Sequence, residues 1–282
     1  MVLEGRVRAK VRYGRLTARG GRFLERWGLW QEGPPMSGRV SVVLPVVRDD
    51  GTRAALKLQD LDDETAGEGL ALRTWGGDGT VRLLAEDAET GTLLLERLDE
   101  NRPLAAVPDV MEATAVLAGL LARITAVPAP PGLRRLDDIT ADMFERLPAV
   151  LASLAADDDR RLLTDCAAAV REVADEPGDR LLHWDLHFEN ILAADREPWL
   201  VIDPKPLAGD PCFELLPALW SRFGEGASTR RFDLLTETLG LDRERARAWT
   251  LGRVLQNSLW LVEEGGEPDA EQVAVARMLL GR

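Results

Sequence analysis

Leu182-His-Trp-Asp-Leu-His-Phe-Glu-Asn190, followed by the apolar run Trp199-Leu-Val-Ile-Asp203-Pro204, decides how this chain reads. The first stretch holds both histidines of the sequence, His183 and His187. Its spacing is His-x-Asp-x-x-x-x-Asn. A short strand-like run then ends on a second carboxylate. A loop of this kind can turn Asp185 and Asn190 toward one pocket, and the strand can deliver Asp203 to the same place. Carboxylate and amide oxygens are the ligands that hard divalent cations prefer.

The rest of the chain divides around this stretch. Gly21 to Gly28 reads as a short amphipathic helix ending at glycine. Val40 to Val47 and Arg53 to Leu58 read as a hairpin about Asp49-Asp-Gly51. Asp62 to Trp75 reads as a helix stopped by Gly76-Gly77. Val81 to Ala85 and Thr92 to Glu96 give two more strands. Beyond Pro103 and Pro108 the composition turns helical: Val110 to Val127, Ala141 to Leu154, Arg160 to Val173, Arg243 to Glu263 and Glu271 to Leu280. The pattern is α+β, with a small antiparallel β-rich lobe over 1–100 and a larger, mainly helical lobe over 101–282.

Composition sets outer limits. The chain has 282 residues, is 45% hydrophobic and carries 35 Lys and Arg against 48 Asp and Glu, a net charge of −13. Such a chain is a poor ligand for nucleic acid, where affinity comes from cations on phosphates. It suits a cationic small molecule, and the acidity also serves solubility. Two cysteines, Cys166 and Cys212, make no disulfide framework. No apolar signal core opens the sequence, and no run approaches the roughly 20 apolar residues that span a bilayer. A cytoplasmic protein without a membrane partner is expected, as a monomer or weak dimer.

Read as phosphoryl-transfer chemistry, Asp185 orients the attacking hydroxyl and accepts its proton, while Asn190 and Asp203 hold Mg²⁺. His183 and His187 brace the loop. Lys57 stands alone in an apolar strand and needs a partner or a ligand, since a bare buried ammonium is costly. Glu68, on the following helix, can supply the partner, although Glu64 lies one turn earlier. Ser37-Gly38 lets backbone approach a phosphate. The backbone of Glu96 and Leu98, at the lobe junction, can meet an adenine edge. Trp184, Trp220 and Trp260 are candidate walls of an acceptor pocket. Asp210 either braces the metal loop or faces substrate. Glu263-Glu264 can attract an amine or guanidinium, or form an ordinary solvated face. A rival reading makes His183, Asp185 and His187 the ligands of a metal-dependent hydrolase, but no further histidine exists to complete such a site. A non-catalytic binding module is a third reading, opposed by the presence of Lys57, Asp185, Asn190 and Asp203 together.

These residues, with Lys205-Pro206 and Gly209-Asp-Pro211 after Asp203, resemble the aminoglycoside/hydroxyurea antibiotic resistance kinase family, and within it the streptomycin 6-phosphotransferases. Leu93 to Leu98 and Arg73-Thr-Trp75-Gly-Gly77 fit the same pattern. The resemblance covers about Trp27 to Glu264. It implies a bilobal protein-kinase-like fold, ATP and Mg²⁺ as cofactors, and phosphorylation of a hydroxyl on streptomycin or a related aminoglycoside. Hydroxyurea or another small metabolite is the alternative acceptor. Three positions depart from wider kinase patterns: Trp184 where many have glycine, Pro204-Lys205 after the metal aspartate, and Glu214 where aspartate is frequent.

Overall fold

The computed structural model describes residues 2–38, 40–223 and 228–281. The N-terminal part comprises α1 (Val2–Arg26), β1 (Leu29–Gln31), β2 (Met36–Ser37), β3 (Ser41–Arg48), β4 (Arg53–Gln59), α2 (Glu68–Trp75), β5 (Leu83–Asp87) and β6 (Thr92–Glu96). The strands form one antiparallel sheet in the order β1-β3-β4-β6-β5, with β2 also paired to β3. Register aligns Val43, Lys57 and Leu93 across its centre. The expected hairpin closes where Asp49-Asp-Gly51 stands; Gly51 takes the left-handed φ of 81° that the turn demands.

The two-residue period of β4 explains its chemistry. Ala54, Leu56 and Leu58 bury against Leu16 and Phe23 of α1. Gly20 lets that helix approach, since a Cβ there would stand 2.8 Å from Leu44 Cδ1. Lys57 therefore points to the opposite face, toward the rest of the molecule.

Two elements differ from expectation. The first helix is far longer than Gly21 to Gly28. The second begins at Glu68 rather than Asp62, because Asp62 Oδ1 accepts the N–H groups of Glu64 and Thr65 and holds that segment in turns.

The C-terminal part is built on α3 (Val110–Thr125), α4 (Leu136–Ser153), α5 (Asp157–Arg171), α6 (Leu215–Trp220), α7 (Ser228–Leu239), α8 (Arg243–Glu263) and α9 (Ala270–Leu279). Asp109, Asp242 and Asp269 cap three of these through their side chains. Two three-stranded sheets carry the site. In one, β7 (Asp99–Pro103) and β11 (Trp199–Val201) flank β10 (Ile191–Ala193). In the other, β8 (Arg134–Arg135) and β9 (Arg180–Leu182) flank β12 (Leu207–Gly209). The two parts are stitched where Val81 N–H donates to Val201 O (2.8 Å) and Val201 N–H to Gly79 O (3.0 Å). No helix among the described residues is long and apolar enough to cross a membrane.

Candidate active site

The loop after β9 is pinned by its own side chains. His183 is fully buried, and burial pulls its pKa down to about 3, so the ring is neutral. Its Nε2 lies 2.9 Å from Ile202 O, and Asp185 N–H approaches its Nδ1 at 3.3 Å. The network assigns the Nε2–H tautomer. With both nitrogens engaged, His183 braces the loop and has none left for a metal. Trp184 adopts a left-handed φ of 72°, and its N–H donates to Glu214 Oε1 at 2.7 Å. Burial raises Glu214 to about 7, against the opposing Trp184 N–H and the Arg253 charge.

Next comes the oxygen set. Asn190 donates through Nδ2 to Asp185 O (2.9 Å), which leaves Oδ1 as its available ligand atom. Asp203 also has a left-handed φ, 57°. Its Oδ1 accepts Lys57 Nζ at 2.5 Å and Lys205 Nζ at 3.0 Å. Lys57 also bonds both Glu68 oxygens at 2.7 Å, and Gln59 Nε2 donates to Glu68 Oε2 at 2.6 Å. Burial opposes the Lys57 charge, but Asp203 and Glu68 outweigh it and hold the ammonium well above its ordinary pKa. Burial likewise acts to raise Asp203, but the two lysines keep it deeply ionised.

Two cavities flank this cluster. The first, about 270 Å³, is lined by Gly38, Lys57, Leu98, Asn190 and Asp203 among apolar side chains that include Ala55 and Ile202. Gly38 N–H bonds Ser41 O at 2.9 Å, and a Cβ at Gly38 would stand 2.7 Å from Ser41 Oγ, so a larger residue there would have to move that hydroxyl. Glu96 borders the cavity too, but its carboxylate pairs with Arg196 (2.9 Å) and its N–H donates to Arg82 O. That N–H is not free for an adenine edge. Leu98 lies between β6 and β7, outside both ladders.

The second cavity, about 480 Å³, brings together Asp185, Trp184, Trp220, Trp260 and Glu264. Glu64, Lys205, Arg253, Asn257 and Gln272 also line it, and sequence reasoning missed them as site residues. Arg253, Asn257, Trp260 and Glu264 recur at helical spacing along α8, a stripe that could have been found. Trp184 carries guanidinium groups of Arg253 and Arg134 at 4.3 and 4.5 Å from its ring. It also lies 6.2 Å from Trp260, nearly parallel. Arg253 is buried and hydrogen-bonds Gln256 Oε1 (2.7 Å) and the Trp184 carbonyl rather than a carboxylate; burial lowers its pKa to about 10.

Two expected substrate residues lie elsewhere. Asp210 caps the turn after β12 through Cys212 N–H (2.8 Å) and pairs with Arg245 (2.5 Å). Its carboxylate braces the fold and does not face the cavity. Glu263 pairs with Arg146 at 2.8 Å, whereas the exposed Glu264, just past the end of α8, borders the cavity.

An antiparallel N-terminal sheet, a helical C-terminal part and a carboxylate loop between two cavities define a phosphotransferase with a kinase-like fold. The comparisons agree. The profile of the aminoglycoside/hydroxyurea antibiotic resistance kinases matches residues 26–265. A hydroxyurea phosphotransferase of Kitasatospora aureofaciens is 61% identical, over 95% of this chain and 79% of that one. A streptomycin 6-kinase of Streptomyces glaucescens is 56% identical, over 92% and 87%. Among solved structures, an aminoglycoside phosphotransferase in ternary complex with AMP-PNP and hygromycin B superposes with a TM-score of 0.63 at 18% identity, over 92% and 95% of the two chains. This chain belongs to the aminoglycoside/hydroxyurea antibiotic resistance kinase family.

Proposed function

We propose that the enzyme transfers the γ-phosphoryl group of ATP to a hydroxyl of streptomycin or a closely related aminoglycoside. Residues 1–100 form the nucleotide lobe and 101–282 carry the catalytic loop and acceptor site. One observation carries the reading: the loop from His183 to Asn190 presents Asp185 to the larger cavity, while Asn190 and Asp203 line the smaller one. In the reaction Asp185 orients the acceptor hydroxyl and takes its proton. Lys57, held by Glu68, is the cation for the nucleotide phosphates. Asn190 Oδ1 and the Asp203 carboxylate suit Mg²⁺, which is held by few protein oxygens and completed by phosphates and water. When bound, Mg²⁺ neutralises charge on the transferring phosphates. Glu68 acts through Lys57, and the Leu98 backbone borders the base site.

Streptomycin is favoured over hydroxyurea by size and charge. A cavity of about 480 Å³ lies in the range that encloses a drug-sized ligand. Its carboxylates, Glu64 and Glu264, suit a guanidinium-bearing acceptor, and its tryptophans suit a flat cationic group. Hydroxyurea is the second reading, supported by the 61% identity to the Kitasatospora aureofaciens enzyme. Purified protein with ATP and Mg²⁺ should convert streptomycin to a singly phosphorylated product by mass spectrometry, with a far higher kcat/KM than for hydroxyurea. The reverse order would overturn the acceptor assignment and leave the chemistry intact.

A further inference from the structure

Lys205 plays no part in the mechanism above, yet it occupies the wall between the two cavities. Its side chain is 8% exposed and lines the acceptor cavity beside Asp185. Its Nζ stands 3.0 Å from Oδ1 of Asp203, a residue that lines the nucleotide side. That oxygen already accepts Lys57, whose ammonium has Glu68 as well. The Lys205 bond is therefore the one that can be exchanged. Its backbone is fixed at both ends: the N–H donates to His183 O at 2.9 Å, and the carbonyl accepts from Arg134 Nη2 at 3.2 Å. A fixed origin and a four-carbon stem let a compact ammonium move a short way without moving the loop.

Resting on the transfer reaction given above, we propose that Lys205 is a further catalytic residue, one that leaves Asp203 and bonds the phosphoryl group in flight. The acceptor oxygen forms the new bond to the γ-phosphorus as the bond from that phosphorus to the β,γ-bridging oxygen breaks. The hydroxyl proton goes to Asp185 and ADP departs with the bonding pair. Lys205 gives up no proton and forms no covalent bond; it offsets the charge spread over the non-bridging oxygens of the phosphoryl group. Lys57 serves the bound nucleotide in ground and transition states alike, whereas Lys205 faces the point where the two substrates meet.

The test compares Lys205→Met and Lys205→Arg with the parent enzyme, using MgATP and streptomycin. Lys205→Met should lower kcat about 100-fold, the size seen when one transition-state donor is removed. KM for ATP and the ADP affinity measured by titration with Mg²⁺ should stay within about 3-fold, because uniform binding is untouched. Lys205→Arg should recover part of kcat. A purely structural role at Asp203 would instead weaken nucleotide and Mg²⁺ binding and leave kcat at saturation near normal; that result, or a kcat within about 3-fold of the parent in Lys205→Met, overturns the proposal. Thermal unfolding of both variants identifies a fold defect, and should Lys205→Met fail to fold, Lys205→Arg decides: full parental kcat there overturns the proposal and a clear loss with normal ADP binding supports it. If the parent enzyme phosphorylates neither streptomycin nor hydroxyurea, the functional reading fails first, before Lys205 is in question.

Discussion

The nucleotide-side cluster and the acceptor cavity handle buried charge in opposite ways. In the first, the buried Lys57 meets its opposites, Glu68 and Asp203. In the wall of the second, Arg253 is buried on aromatic rings, a carbonyl and an amide; outside the lining, Glu214 holds the Trp184 N–H and is fully buried with Oε2 lacking a hydrogen bond. Paired buried charges hold one geometry and are costly to break singly. Buried groups without a hydrogen-bonded ion-pair partner stay sensitive to protonation. The cluster around Lys57 is built to hold one geometry, and the larger cavity to respond.

Removing one partner from the constant side should have the largest effect on stability. Lys57→Met leaves Glu68 buried with Gln59 as its remaining bond, so unfolding free energy in urea should fall by about 3 kcal/mol or more. A loss under about 1 kcal/mol would show that the pair is not what fixes this region.

A smaller effect separates two titrations that cancel. Glu214 titrates near 7 when folded against an ordinary 4.5, so the folded state holds the extra proton between those limits and stability falls as pH rises across them. His183 titrates near 3 when folded against 6.5, so the unfolded chain holds the extra proton and stability falls as pH drops below 6.5. Between about pH 5 and 6.5 the slopes oppose. Glu214→Gln keeps an acceptor for Trp184 N–H and removes one slope. On going from about pH 6.5 to 5 it should lose about 2 kcal/mol more stability than the parent, followed by thermal or urea unfolding. Parallel curves would contradict the burial argument for Glu214.

The smallest effect belongs to the cavity rim. Glu264→Gln should raise KM for streptomycin a few-fold, since an exposed charge contributes about 1 kcal/mol or less. It should leave KM for hydroxyurea unchanged. Glu263→Gln, whose carboxylate faces Arg146, should change neither.

The same contrast governs what the sequence disclosed. Asp185, Asn190 and Asp203 were legible because one short loop and the strand behind it carry them at fixed spacing. Lys57 was legible because a lone cation in an apolar strand is costly. The wall of the larger cavity was legible only in part: Trp184, Trp220, Trp260 and Glu264 were expected there, whereas Glu64, Lys205, Arg253, Asn257 and Gln272 are brought to it by separate segments of the chain. Asp210 was expected there because it follows the Asp203 loop, and Glu263 because an acidic pair at a helix end can attract a cation. One is spent on a turn and an arginine, and the other rotates off the stripe by a single residue. The helix before Glu68 failed for a local reason: Asp62 competes for the backbone N–H groups that a helix would need.

Asp185 is where the two regions meet, and its replacement tests the account most directly. Asp185→Asn keeps the size of the side chain and removes the proton acceptor. Turnover of streptomycin with MgATP should fall about 1,000-fold, within the range for loss of a general base, while ADP affinity by titration changes less than about 3-fold. Turnover within about 3-fold of the parent would contradict the assignment of Asp185 as the base.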